Sequence, residues 1–348
     1  MYQIKQLPED FIVKEISDIN ASENGQYAYY ILKKTNYTTI DALQILSRKF
    51  KSPLKNFGFA GNKDKNAVTE QKISIFRGSK NFENIKVRDI ELKYLGNGKE
   101  PISLGDLKEN EFTITIRNLS NKDIKKLKTL SNKTIKIPNL YGPQRFSNNN
   151  DLIGKAILKR DFKKTIELIL ENDGIVEHKI KDYMAKNKNN YIEALRFIPL
   201  KTRKLFVHSY QSFLFNKIVD EYLKNKNKVE NIKIPIIGFN FEINTISQKS
   251  KIFGNLEIQK EFQSKNKQLK NIITKILDEE NINSRDFIIN QIPELTSEGG
   301  YRDLFFELKY YISEIEKDEL NKNKQKIKIN FTLPKSCYAT IALEYFVN

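Results

Sequence analysis

Strand-like alternation in this 348-residue chain sits toward its two ends, and helical spacing fills its middle. The clearest alternation is at 111–117, EFTITIR, which puts Phe112, Ile114 and Ile116 on one face and Thr113, Thr115 and Arg117 on the other. Residues 11–16 (FIVKEI), 27–33 (YAYYILK) and 72–77 (KISIFR) are rich in β-branched and aromatic residues and also read as strands. Near the C-terminus FFELKYYISEIE and KIKINFTL read as two long strands joined by the polar turn NKNKQ. A helix is predicted from Thr39, as N-cap, to Phe50, because Ile40, Leu43, Leu46 and Phe50 share a face. Helical spacing dominates 161–171, 191–198, 209–225 and 265–280, with Lys/Asn-rich loops between, and a short helix is expected at Ala339–Phe346. Strands at both ends around a helical middle make the fold class α+β. The length suits two domains, or one domain with a large insertion.

Charge narrows the partners. Sixty Lys+Arg stand against 43 Asp+Glu, a net charge of +17, which favours a polyanion such as nucleic acid. Lys, Asn and Ile are abundant together, so part of that excess reflects a biased composition. The single cysteine, Cys337, rules out an internal disulfide, and two histidines, His178 and His208, cannot form a three-His metal site. No metal and no cofactor are expected. There is no apolar run of membrane-spanning length and no signal-peptide core at the start, so the expectation is a cytoplasmic protein with no membrane partner. A monomer is the default.

Three segments combine turn formers with chemistry. Gly58–Gln71 places Asp64 between Lys63 and Lys65 in a glycine-punctuated stretch. If those cations are close in space they favour a charged carboxylate, able to act as nucleophile or base. Taken alone, an Asp in a Gly/Asn-rich loop is a turn or cap residue. Pro138–Phe146 sets Arg145 beside Tyr141 and Phe146, which suits a phosphate or base contact, or a surface loop anchored by its aromatics. Leu104–Phe112 leads a turn into a strand; Asn110 could meet a base edge or a carboxylate, and Phe112 shares its face with Ile114 and Ile116 as a core residue would.

Taken together, these segments resemble the TruD family of pseudouridine synthases. The family's G-x-K-D-x-x-A-x-T-x-Q element reads here as Gly61-Asn62-Lys63-Asp64-Lys65-Asn66-Ala67-Val68-Thr69-Glu70-Gln71, without departure. Pro8–Glu15 is similar to P-x-D-F-x-V-x-E, Asn139–Phe146 to N-Y-F-G-x-Q-R-F, and Leu104–Phe112 to L-x-x-G-x-L-x-G-N-x-F. FVHSYQSFLFN (206–216) and Ser297–Arg302 look most like archaeal and eukaryotic members. Glu109 and Ser147 stand where glycine is usual, Leu140-Tyr141 replaces Tyr-Phe, and Tyr338 replaces a bacterial Phe.

The resemblance implies a pseudouridine synthase catalytic domain around a central antiparallel mixed sheet, from residues 1–147 and 300–348, with a TruD-type insertion at 148–299. RNA is expected in the cleft between them. It also implies isomerisation of a uridine in tRNA, at position 13 in standard numbering; eukaryotic relatives modify further RNAs. Asp64 would carry the catalytic step, as nucleophile or by removing a sugar proton. Phe11, Phe112 and Tyr338 would lie near the base, Asn110 would orient the base or Asp64, Lys5 would be a basic residue at the site, and Arg145 would contact RNA. His208 reads as a helix residue rather than an acid/base catalyst. The alternatives are a non-catalytic RNA-binding protein or RNA chaperone on the same fold, or an interaction scaffold.

Overall fold

The computed structural model describes residues 2–84, 86–224, 229–242 and 267–347. The chain divides into two compact units, Met1–Ile137 with Glu307–Asn348, and Pro138–Phe306. The sequence reading places the first boundary after residue 147. The second unit begins earlier because the 139–146 segment is bound into it: Arg302 donates to the Asn139 carbonyl at 2.7 Å, Asn216 accepts the Tyr141 N–H at 2.9 Å, and Ser209 donates to the Arg145 carbonyl at 2.7 Å.

The first unit is built on an eight-stranded mixed sheet. Its strands are β1 (Phe11–Ile16), β2 (Tyr27–Thr35), β3 (Phe57–Phe59), β4 (Val68–Phe76), β5 (Ile90–Gly98), β6 (Glu109–Leu119), β11 (Tyr310–Lys317) and β12 (Gln325–Pro334). The short strands β7 (Ile135–Pro138), β8 (Lys233–Ile236), β9 (Gly300–Asp303) and β10 (Phe305–Leu308) lie outside it. The order is β11-β12-β6-β1-β4-β2-β5, with β3 also on β4. β1 and β4 run parallel, and the neighbouring pairs are antiparallel. Strands from both ends of the chain therefore meet in one sheet, β12 pairing with β6 over its whole length. Directly paired residues face the same side. The register lines up Lys34, Thr69, Val13, Phe112 and Phe331 as one row across β2, β4, β1, β6 and β12.

Helix α1 (Thr39–Lys49) covers the β2/β4 end of that face, burying Ala42, Leu43 and Leu46 with Leu32, Ile73 and Ile75. Its N-cap is Thr38, whose hydroxyl accepts the Asp41 N–H, and not Thr39 as the pattern suggested. Thr39 instead turns its hydroxyl inward, fully buried. Helix α2 (Asn121–Leu130) follows β6, started by a Ser120–Asp123 capping box. The last helix, Ala339–Val347, seats Phe346 4.7 Å from Tyr310 and 6.3 Å from Phe331. On the opposite face, buried Arg117 of β6 pairs with Asp10 at 2.8 Å and with Asp318 and Glu319 at 3.1 and 3.0 Å. The strand expected over FFELKYYISEIE is interrupted at Lys309 into β10 and β11, and only β11 belongs to the large sheet. Burial continues to alternate through Phe306, Leu308 and Tyr310, so the period alone could not reveal the break.

The second unit is mainly helical, opening with α3 (Asn150–Leu158), α4 (Phe162–Ile169), α5 (Ile175–Lys186), α6 (Tyr191–Leu195) and α7 (Leu200–Leu223). Its core gathers on α7, which begins at 200 rather than 209. Buried Phe206, Val207, Tyr210, Gln211, Leu214, Phe215, Ile218 and Val219 surround that helix, so no single apolar stripe marks its start. Helix α3 packs closely on it at Gly154, where an added Cβ would meet the Phe206 carbonyl oxygen. The helix expected at 265–280 is Lys267–Glu280; residues 265 and 266 lie outside the described residues.

Candidate active site

The loop carrying Asp64 is placed by how β4 is shared. The later half of β4 pairs with β3 (Phe59 with Ile73), and its first residues pair with β1 (Val68 with Ile12). Residues 60–67 must therefore return from β3 to the start of β4, beside the start of β1. A chain of buried and part-buried hydrogen bonds fixes this return. Thr39 donates to Gln71 Oε1 at 2.8 Å and accepts the Lys63 N–H at 2.9 Å, while Gln71 Nε2 donates to the Gly61 carbonyl at 2.9 Å. Lys34 Nζ, fully buried beneath the loop, donates to the carbonyls of Asp64 and Tyr37 at 2.9 and 2.6 Å. Burial holds the Lys34 ammonium down to about 8; Asp64 opposes that shift and Lys63 adds to it.

The cation on Asp64 is Lys5. Its Nζ lies 2.6 Å from Asp64 Oδ2, with side-chain exposures of 17% and 34%, so the carboxylate is paired yet still reachable. The flanking lysines are placed differently from the sequence expectation. Lys63 reaches inward to the buried Glu15 at 2.5 Å, and Lys65 is exposed. Lys5 is delivered from 59 positions away because the segment before β1 is tied at both ends. Gln3 bridges Arg117 backbone to backbone, and Asp10 takes the Arg117 guanidinium. Between these ties Lys5 adopts φ 60°, a left-handed conformation that costs a non-glycine residue about 1 kcal/mol.

Beneath this pair lies an aromatic floor. Lys5 Nζ sits 4.0 Å from the Phe11 ring centroid; Phe11 meets Phe112 edge-on at 6.0 Å, and Phe112 stacks on Phe331 at 5.3 Å. Phe11 and Phe112 are only 2% and 8% exposed, so in this state they form a floor rather than an open stacking surface. Asn110 begins the same β6 face as Phe112, opposite Glu15 on β1 and Leu333 on β12. Its Oδ1 is buried and has no hydrogen-bond partner among the described residues. An unmet acceptor of this kind costs about 1–3 kcal/mol, which marks a place for an N–H or O–H donor. Tyr338 is half-buried just ahead of the last helix, where its carbonyl accepts the Ala342 N–H.

The structure thus links Asp64, Lys5, Phe11 and Phe112 in one series of pairwise contacts and sets Asn110 on the same sheet face. Tyr338 is in that unit, while Arg145 belongs to the second. Sequence reasoning missed Lys34 and the Glu15–Lys63 pair. The legible signal for Lys34 was its phase, since it falls on the inward positions of β2 with Tyr30 and Leu32.

The model of the family tRNA pseudouridine synthase D (TruD) matches residues 2–179, 169–240 and 241–346. The chain belongs to the TruD family. A tRNA pseudouridine synthase D from Aquifex aeolicus is 30% identical, covering 98% of this chain and 97% of that protein. A crystal structure of the Methanosarcina mazei protein assigned as tRNA pseudouridine synthase D (TruD) superposes with a TM-score of 0.70 at 27% identity, over 99% of this chain and 93% of that one. The mixed sheet of the first unit is accordingly the TruD form of the pseudouridine synthase fold. In this TruD chain Ser147, which stands where the family motif carries glycine, adopts φ 49°, a left-handed conformation that glycine would enter more readily. Among the described residues no helix is long and apolar enough to cross a membrane.

Proposed function

We propose that this chain isomerises a uridine of tRNA to pseudouridine, at position 13 as the family expectation has it, with Asp64 as the catalytic carboxylate. The observation that carries the proposal is the Lys5–Asp64 pair, at 2.6 Å over the Phe11 ring, with the carboxylate a third exposed. The reaction breaks the C1′–N1 bond, turns the uracil and joins C5 to C1′. The product is an isomer, so the proton lost from C5 is balanced by the one gained at N1. A carboxylate serves this either by attacking the substrate or by taking a sugar proton, and Lys5 keeps its charge compensated while RNA excludes water. The unmet Asn110 oxygen suits the N3–H of uracil as donor. Extruding the base costs a few kcal/mol, and aromatic contact offsets about 1–3 kcal/mol per base. Because Phe11 and Phe112 are buried here, such stacking calls for a modest opening of the floor, or for Tyr338.

The test is Asp64→Asn, which keeps the shape and removes the charge. RNA binding should survive and pseudouridine formation should vanish. Appreciable single-turnover conversion by this variant would exclude Asp64, and pseudouridine mapping on wild-type-treated tRNA reports the position.

A further inference from the structure

The FVHSYQSFLFN segment contains two serines that each bind Arg145 as well as a carbonyl of their own helix. Ser209, fully buried in α7, has the Arg145 carbonyl and the Leu205 carbonyl of its own helix both at 2.7 Å, the two sharing its single hydroxyl proton. Ser212, 1% exposed, accepts Arg145 Nε–H at 3.1 Å and donates to the His208 carbonyl at 2.8 Å. Arg145 is thus held by its backbone and by the inner edge of its guanidinium, and the Tyr141 ring lies 5.7 Å from its Cζ. Arginine presents five N–H donors in a rigid fork. Only the Nε–H meets a protein acceptor among the described residues, which leaves the outer edge open. Lys204, His208 and Ser212 follow at four-residue spacing, so they share one face of α7, grading from exposed through half-buried to buried.

What surrounds this stripe is cationic. Among the described residues no carboxylate pairs with Arg145, Lys201 or Lys204, whereas Arg203, on the buried side, pairs with Glu294 at 2.9 Å. Helix α7 has no side-chain cap and no acid in its first turn, so Lys201 sits at the positive end of its dipole and Lys204 follows in the next turn. Helix α3 packs beside Phe206 and Tyr210, and its charges Asp151 and Lys155 act on Tyr210. The charged groups acting on His208 are Arg145 and Lys204. A pre-aimed guanidinium, an adjacent ammonium and an imidazole, with no anion among them, make a receptor for a tetrahedral oxyanion.

We propose that Arg145, Lys204 and His208 form a binding site for a backbone phosphate of RNA, with Ser209 and Ser212 as positioning residues for Arg145. This rests on reading the chain as an RNA-modifying enzyme. Arg145 binds two phosphate oxygens through its outer N–H groups, Lys204 adds a point charge, and His208 donates an N–H. Burial first, then Arg145 and Lys204, hold the His208 imidazole below its ordinary 6.5. A seated phosphate reverses the local field and draws a proton onto it, so RNA binding takes up a proton and tightens as pH falls through the range below 7.

The chain has two histidines, so nitrogen-15-labelled histidine gives two assignable titrations in the full protein. His178, paired with Asp173 at 3.2 Å and exposed, is the reference. Saturating tRNA should raise the His208 midpoint and leave His178 in place. Arg145→Ala and Lys204→Ala should each weaken tRNA binding by about tenfold, and each should flatten the salt slope by about 0.7–0.9 for every phosphate it no longer neutralises. Lys163→Ala, an exposed charge in the same unit, should change affinity by less than about twofold. Ser212→Ala should weaken binding severalfold without altering the salt slope, because the cation remains but is no longer aimed. An unmoved His208 midpoint with tRNA, or Arg145→Ala and Lys204→Ala binding like Lys163→Ala, overturns the site. A shift produced by inorganic phosphate and not by tRNA overturns its assignment to RNA. Pseudouridine formation with an unmoved His208 would sink this site and leave the enzymatic reading standing; a shifted His208 without pseudouridine would do the reverse.

Discussion

Lys34→Met offers a case in which stability and turnover should separate. A lysine held at about 8 against an ordinary 10.5 carries a burial penalty on its charged form of about 3 kcal/mol at pH 7. Methionine removes that penalty at similar length. It also strips the donor from two carbonyls, those of Asp64 and Tyr37, at about 1–3 kcal/mol each if they stay buried. The two effects oppose each other, and the variant should lie within about 2 kcal/mol of wild type at pH 7. The Asp64 carbonyl nevertheless loses its anchor, so turnover should fall by about tenfold or more with tRNA affinity unchanged. The pH dependence supplies the internal check. Below pH 8 both folded and unfolded wild type hold the proton. Between 8 and 10.5 the unfolded chain holds more of it, so wild-type stability rises relative to Lys34→Met as pH climbs through that window, by about 3 kcal/mol. Urea unfolding at pH 7 and pH 10.5, beside single-turnover assays, reads both effects. A wild-type minus variant difference that stays flat from pH 7 to 10.5 would refute the account of Lys34 as a buried, charged anchor.

Lys5→Met should depress turnover at least tenfold while tRNA affinity changes less than threefold, since it removes the Asp64 partner but spares the aromatic floor; equal losses in kcat and affinity would point to a general RNA contact instead. Arg117→Met leaves Asp10 and Asp318 buried without their cation and should destabilise the first unit by about 3–5 kcal/mol, read as a lowered Tm; a Tm within about 2 °C of wild type would contradict the buried-pair reading. Gly154→Ala forces a Cβ against the Phe206 carbonyl oxygen, a backbone atom that cannot swing aside, so the second unit should lose about 1–3 kcal/mol in urea titrations.

Local pattern made the sheet largely legible. β1 matches the FIVKEI run residue for residue, and β6 and β12 lie where alternation placed them, because a half-buried strand must alternate whatever it packs against. The motif around Asp64 and the N-terminal PEDFIVKE run hold residues that the fold brings near one another, with Lys5, outside both, as the link between Asp64 and Phe11. Their partnerships were not legible. Sequence proximity set Lys63 and Lys65 beside Asp64, yet Lys63 turns inward to Glu15 and the carboxylate is met by Lys5. The reason is geometric: β4 is shared between β1 and β3, and that sharing fixes which side of the 60–67 return faces the N-terminal segment. No period in the sequence encodes it.

The extent of α7 and the role of its serines show the same division. A helix buried around most of its surface has no single stripe to announce its start, and Ser209 and Ser212 could only be understood once the 139–146 segment was seen to dock on them. By itself the sequence determined which segments form strands and helices, and which motifs are present, since these depend on neighbours within a few residues. The tertiary structure alone decided which charges pair, which polar atoms are left waiting for a partner, and where a cation stands unopposed. Those depend on contacts between strands and loops far apart in the chain, which burial makes strong and sequence distance hides.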